Sequence, residues 1–235
     1  MINMNYTNMY QALQKILNKD EQIDYAMSGR TAAHIELWTL MYKNRSPWIN
    51  KKVQSTGLSA AVAGEIARLT VLEAKSEVSG SAKADYINEI YQNVIRKLRI
   101  QVEYAEAKGG LIFKPYVTSN GISVQYIQAD SFFPLEFDSE MITKCAFLDQ
   151  FRRNNDIYSR IEIHTLKDGL LNIRNRAFVS RTDGLIGTEI PVNSVTKWSE
   201  LAEEITFSGI QKLPFGYFRV PLGNNEDFNG TVSDI

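Results

Sequence analysis

YINEIYQNVIRKLRIQVEYAEAKGGLIFKPYV, Tyr86 to Val117, contains the change of period that decides the fold. Up to Lys108 the apolar residues Ile87, Ile90, Tyr91, Val94, Ile95, Leu98, Val102 and Ala105 recur at three and four. That spacing is one stripe of an α-helix of about five turns. Gly109-Gly110 then stops the helix, because glycine accepts the left-handed conformation that follows a last turn. From Leu111 onward apolar and polar residues alternate, which is the period of a strand.

Upstream of this stretch the chain reads as helices. Thr7 is placed to cap a segment carrying Tyr10, Leu13, Ile16 and Leu17, and Asn18-Lys19-Asp20 ends it. His34, Ile35, Trp38, Met41 and Tyr42 form a second stripe that stops before Ser46-Pro47. Between Ala60 and Ala74, Val62, Ile66, Leu69 and Leu72 alternate with small residues that admit a partner helix closely, so this helix is expected to be packed all round. Ser79-Gly80-Ser81 separates it from the long helix.

Downstream the chain reads as strands. Leu111–Thr118 and Ile122–Ala129 flank Asn120-Gly121, a dipeptide suited to a two-residue hairpin turn. Ile142–Arg153 alternates Cys145, Phe147 and Phe151 against Lys144, Gln150 and Arg152, and Asn154-Asn155-Asp156 turns it toward Tyr158–Leu166. Asp168-Gly169 makes a further hairpin into Leu170–Val179. Five strands joined by short links favour an antiparallel meander, since parallel strands need long crossovers. Ser194–Ile205 is expected to hold a short helix around Trp198 and Leu201, and Phe215–Val220 a final strand. Gly223–Asp234 reads as a flexible tail. The fold class is therefore α+β, with N-terminal helices followed by a predominantly antiparallel β-sheet. The parts are a helical one over residues 1–108, a strand-forming one over 109–222 and the tail over 223–235.

Composition narrows the function. The chain has 235 residues, 44% hydrophobic and 23% charged, and its 26 basic and 27 acidic residues leave a net charge of −1. A dedicated binder of duplex nucleic acid normally carries a surplus of cations. The single cysteine, Cys145, closes no intramolecular disulfide and has no partner for a CxxC pair, so a reducing compartment is expected. No apolar run reaches the length of a membrane span, and Met1–Lys19 is too polar for a signal peptide, so a soluble, intracellular chain is expected.

Candidates for chemistry are few. His34 shares its stripe with Ile35 and Trp38 and is read as a packed histidine. Glu162 and His164 are two apart on a strand, which turns both to one face where they can make two metal contacts. No third ligand accompanies them, and the facing strand offers Asn172, Arg174 and Arg176, so a cross-strand ion pair is the plainer reading. Cys145 alternates with apolar residues and reads as a small buried hydrophobe. There is no G-x-S-x-G and no glycine-rich phosphate loop. Of the short basic clusters, Lys51-Lys52, Arg96-Lys97-Arg99 and Arg152-Arg153 read as solvated faces. Arg160, Arg174 and Arg176 form an outward set that suits a DNA-binding accessory module. No catalytic, cofactor or metal site is assigned.

Several stretches together resemble the first half of tailed-bacteriophage portal proteins, of the siphovirus type found in phages and prophages of Gram-positive bacteria. They are AGEIARLTVLEAK (Ala63–Lys75), the Tyr86–Val117 stretch, GISVQYIQADSFFPLEFD (Gly121–Asp138) with Asp130 before Phe132 to Pro134, YSRIEIHTLKDGLLNIRNRAF (Tyr158–Phe178) and FGYFRVPLGNN (Phe215–Asn225). The resemblance runs from about Tyr25 to Asp227. It implies a wing-like helix-and-strand portion of a dodecameric ring at one capsid vertex, through which a terminase motor drives double-stranded DNA. It implies no enzyme activity and no cofactor. The partners it implies are other portal subunits, capsid and scaffold proteins, and DNA passing without sequence recognition, with no membrane. The location implied is the virion, and the host cytoplasm during assembly. Stem and clip, with their terminase contact, come later in such proteins than Ile235, as expected of a truncated chain or a prophage remnant. The rival readings are a small metal-dependent enzyme on the Glu162 and His164 face and a DNA-binding module on Arg160, Arg174 and Arg176.

Overall fold

The computed structural model describes residues 6–17, 27–119, 121–139 and 141–224. Helices α1 (Tyr6–Leu17), α2 (Gly29–Tyr42), α3 (Leu58–Leu72) and α4 (Ala82–Lys108) come first. Strands β1 (Gly110–Thr118), β2 (Gly121–Gln128), β3 (Phe132–Asp138), β4 (Met141–Arg153), β5 (Asp156–Lys167) and β6 (Leu170–Ser180) follow. The chain continues through β7 (Thr188–Ile190), β8 (Glu204–Ser208) and β9 (Gly216–Arg219). Every strand pairing is antiparallel, so the fold is α+β.

Local signals act as the sequence implies at α4. The Ser81 hydroxyl accepts from the Ala84 N–H at 3.1 Å at its start. At its end Gly109 takes φ 91°, and its N–H donates to the Ala105 carbonyl at 2.7 Å. Asp168 and Gly169, at φ 50° and 75°, make the tight turn between β5 and β6. Of the Asn120-Gly121 turn, Asn120 lies outside the described residues, as do Asn18-Lys19-Asp20 and the tail beyond residue 224.

The strands do not form one meander. They build a three-stranded sheet ordered β2-β1-β9 and a six-stranded one ordered β3-β4-β5-β6-β7, with β8 also on β6. By contacts the chain divides into two compact units, each drawing on helices and strands. One gathers the described residues of Met1–Glu36 and Asp130–Leu213, the other those of Leu37–Ala129 and Pro214–Gly223.

In the first unit the six-stranded sheet is covered on both faces. Tyr6 of α1 stacks on Phe133 with ring centroids 4.9 Å apart and donates its hydroxyl to the Phe132 carbonyl at 2.9 Å. Thr7 lies inside the first turn of α1 rather than capping it. Its N–H and hydroxyl both donate to Glu36 Oε2, at 3.3 and 2.7 Å, so a carboxylate from α2 serves the helix start. The opposite face packs Ala177 against Val192, Val195 and Trp198, with Phe151 and Tyr158 around them. The helix expected around Trp198 is two 3₁₀ turns, Val192–Ser194 and Thr196–Trp198, and Glu204 already begins β8.

In the second unit α3 packs on α4, and β9 pairs with Gly110–Phe113 of β1. The expectation that α3 is packed all round fails. Only Ala63 and Ala67 of α3 are buried, while Leu58, Leu69 and Leu72 are exposed. The small residues set the close face, and the leucines lie on the far, exposed side.

Candidate functional site

The sequence candidates meet on β5. Strand alternation carries Arg160, Glu162 and His164 to one face, opposite Asp149, Phe147 and Cys145 of β4 and Ala177, Asn175 and Ile173 of β6. His164 Nε2 lies 2.7 Å from Glu162 Oε1, and Arg160 Nη1 donates to Glu162 Oε2 at 2.8 Å. The same Arg160 nitrogen donates to Asn175 Oδ1 at 2.7 Å. Asn175 Nδ2 in turn donates to the Ala202 carbonyl at 2.8 Å, and the Asn175 N–H to the Glu203 carbonyl at 2.7 Å. This chain of bonds runs from a buried imidazole to the backbone that leads into β8.

The ion pair here is along one strand, not across two. Glu162 faces Asn175, and Arg174 and Arg176 pair with Ile163 and Ile161, which places them on the opposite face of the sheet. The carboxylate is shared between a guanidinium and an imidazole, and Glu162 and His164 are only 8% and 2% exposed. A buried charge survives when paired and hydrogen-bonded in this way, and the arrangement works as a cross-brace. Phe147 closes edge-on against the His164 ring at 5.1 Å, and Trp198 lies 6.0 Å from the Arg160 guanidinium.

Among the described residues no group of three or more His, Cys, Asp or Glu side chains gathers to hold an ion. Cys145 lies directly across from His164 and is buried, but His164 Nδ1 makes no hydrogen bond among the described residues, so the two form no Cys–His pair. His34 sits half-buried on α2.

Of the three arginines of the DNA-binding reading, Arg174 and Arg176 share one face of the sheet and Arg160 lies on the other. Arg160 is turned into the brace, and Arg176 gives both arms of its fork to Glu189 at 2.7 Å each. Arg174 borders an open cleft of about 500 Å³ where β6 passes from β8 to β7. Glu189, Glu203 and Glu204 line the same cleft, so its charge is mixed. Sequence reasoning did not single out Asn175 and named Trp198 only as the centre of a short helix; both complete the brace. The register fixed by Asp168-Gly169 is the signal that finds Asn175, because counting back from Lys167 opposite Leu170 sets Glu162 across from it.

No protein-family model matches the chain, and no curated protein matches it.

Proposed function

We propose that the chain is an architectural component of a tailed-phage portal, contributing a wing-like part of the ring at one capsid vertex. The observation that carries this reading is the apolar surface of the second unit. Leu58, Leu69 and Leu72 of α3, Tyr86, Ile87 and Ile100 of α4, and Val117 of β1 all face solvent. In this reading these exposed side chains are the ones that pack against neighbouring subunits.

The stretches that resemble portal proteins fall on both units: on α3, on α4 running into β1, on β2, a turn at Asp130 and β3, on β5 and β6, and on β9. A near-neutral scaffold, here of net charge −1, suits a channel that guides a polyanion without gripping it. The partners in this reading are neighbouring subunits, capsid and scaffold proteins, and double-stranded DNA passing without sequence recognition.

The test is immunogold labelling of particles assembled with a siphovirus capsid protein, its scaffold and this chain. Gold at a single vertex is the expected result. Label spread over the shell, or none, overturns the reading. Stoichiometric zinc or iron in the purified chain, or tight duplex binding that falls steeply with salt, would instead favour the metal-enzyme or DNA-binding alternative.

A further inference from the structure

Every edge strand presents unpaired N–H and C=O groups, and proteins blunt such edges with proline, charge, bulges or shortness. Among the described residues every sheet edge but one is blunted in one of these ways. On β3 there are Pro134 and two register shifts around Glu136. On β1, past the point where β9 ends at Phe113, come Lys114 and Pro115. β7 has three residues, β9 has four with Arg219 among them, and β8 has five beginning at Glu204.

β2 has none of these devices. Its eight residues, Gly121-Ile-Ser-Val-Gln-Tyr-Ile-Gln128, include no charge and no proline, and they pair with β1 in unbroken register. Among the described residues no strand lies on its outer side. Ile122-Ser123-Val124-Gln125-Tyr126 also has the same character read from either end: apolar, polar, apolar, polar, apolar. A strand of that pattern is complementary to its own copy running the other way, which is what an isologous interface requires.

We propose that β2 pairs antiparallel with β2 of a second copy of this chain about a two-fold axis at Val124, joining two three-stranded sheets into one of six. In this register Val124 faces its own copy and Ile122 faces Tyr126, an aromatic against a β-branched side chain, on the face that also carries Phe113, Pro115 and Val117 of β1. Ser123 faces Gln125 on the other side. Shifting by one residue would turn the apolar face of one copy against the polar face of the other, so the pairing is specified by pattern as well as by backbone. This two-fold contact is distinct from the cyclic contacts of a ring and stands independently of the portal reading.

The test is light scattering with size-exclusion chromatography on the full chain over a concentration series. The expected result is a dimer. Val124→Lys sets two like charges directly opposite and raises the dissociation constant at least about tenfold, with an unchanged circular dichroism spectrum. A second variant, Val124→Cys, links the copies through a disulfide under mild oxidation, since directly opposed residues lie within reach of one. Val117→Cys, at a position 83% exposed but one strand away, stays unlinked. A chain monomeric at every concentration, an oligomer of any order that persists unchanged in Val124→Lys, or equal linking of the two cysteine variants overturns the proposal.

Discussion

His164 Nε2 and Glu162 Oε1, two residues apart on β5, are 2.7 Å from each other inside the first unit, while Arg160 takes the other carboxylate oxygen at 2.8 Å. Removing the shared anion strands a guanidinium in a place with little water. Glu162→Ala is therefore expected to cost about 3–5 kcal/mol in urea unfolding, the range for breaking a buried pair from one side. A loss under about 1 kcal/mol, the scale of a surface pair, would show that the brace does not hold the sheet to the segment before β8.

Two glycines separate backbone strain from steric clash. Gly169 takes φ 75° in the β5–β6 turn, and a Cβ there meets nothing within 4 Å. Gly169→Ala is expected to cost about 1–2 kcal/mol, the penalty of the left-handed conformation alone. At Gly187, φ 84°, a Cβ would lie 2.0 Å from the Val179 carbonyl oxygen. Gly187→Ala must displace β6 backbone as well, so its loss should be the larger by at least about 1 kcal/mol. Equal melting temperatures for the two variants would contradict this difference.

What was legible in the sequence was local. The stripe of α4, its stop at Gly109 and the turn at Asp168-Gly169 each depend on residues within a few positions of one another, and each appears where the pattern puts it. Pairings between distant segments carry no such mark. Nothing near Leu111 announces that Phe218, more than a hundred residues on, will lie beside it and add a third strand to the first hairpin. β3 was masked for another reason: Pro134 and the register shifts at Glu136 interrupt the alternation that marks a strand. The candidate site was legible in part. Glu162 and His164 share a face as alternation requires, but setting Arg160 beside Arg174 and Arg176 ignored the register, which puts it across from Ala177.

The unequal faces of α3 give a third expectation. Leu69 and Leu72 are 59% and 65% exposed, so replacing each by lysine should change stability by no more than about 0.5 kcal/mol. Ala67 is fully buried on α3, and Ala67→Leu should cost about 1–3 kcal/mol through overpacking. Thermal melts of the three variants check the ordering. A large loss at Leu69 or Leu72 would mean that these side chains are buried in solution after all.

The second unit also predicts a response to alkali. Tyr42 at the end of α2 donates its hydroxyl to Glu103 Oε1 at 2.7 Å. Gly64 of α3 lies close against that carboxylate, where a Cβ would be 3.6 Å from it. Burial, and then the hydrogen bond to Glu103, push the Tyr42 phenol well above its ordinary value of 10.0. Burial raises Tyr217 and Tyr126 in the same direction. Below about pH 10 folded and unfolded chains both hold these protons, and the contribution to stability is intact. Above it the unfolded chain releases them while the folded chain retains them, so stability falls as pH rises. Tyr42→Phe should therefore start less stable by about 1 kcal/mol, having lost one hydrogen bond, and then decline less steeply above pH 10 than the unsubstituted chain. The slope persists in part because Tyr217 and Tyr126 remain. Parallel curves of melting temperature against pH for the two proteins would remove Tyr42 from the account.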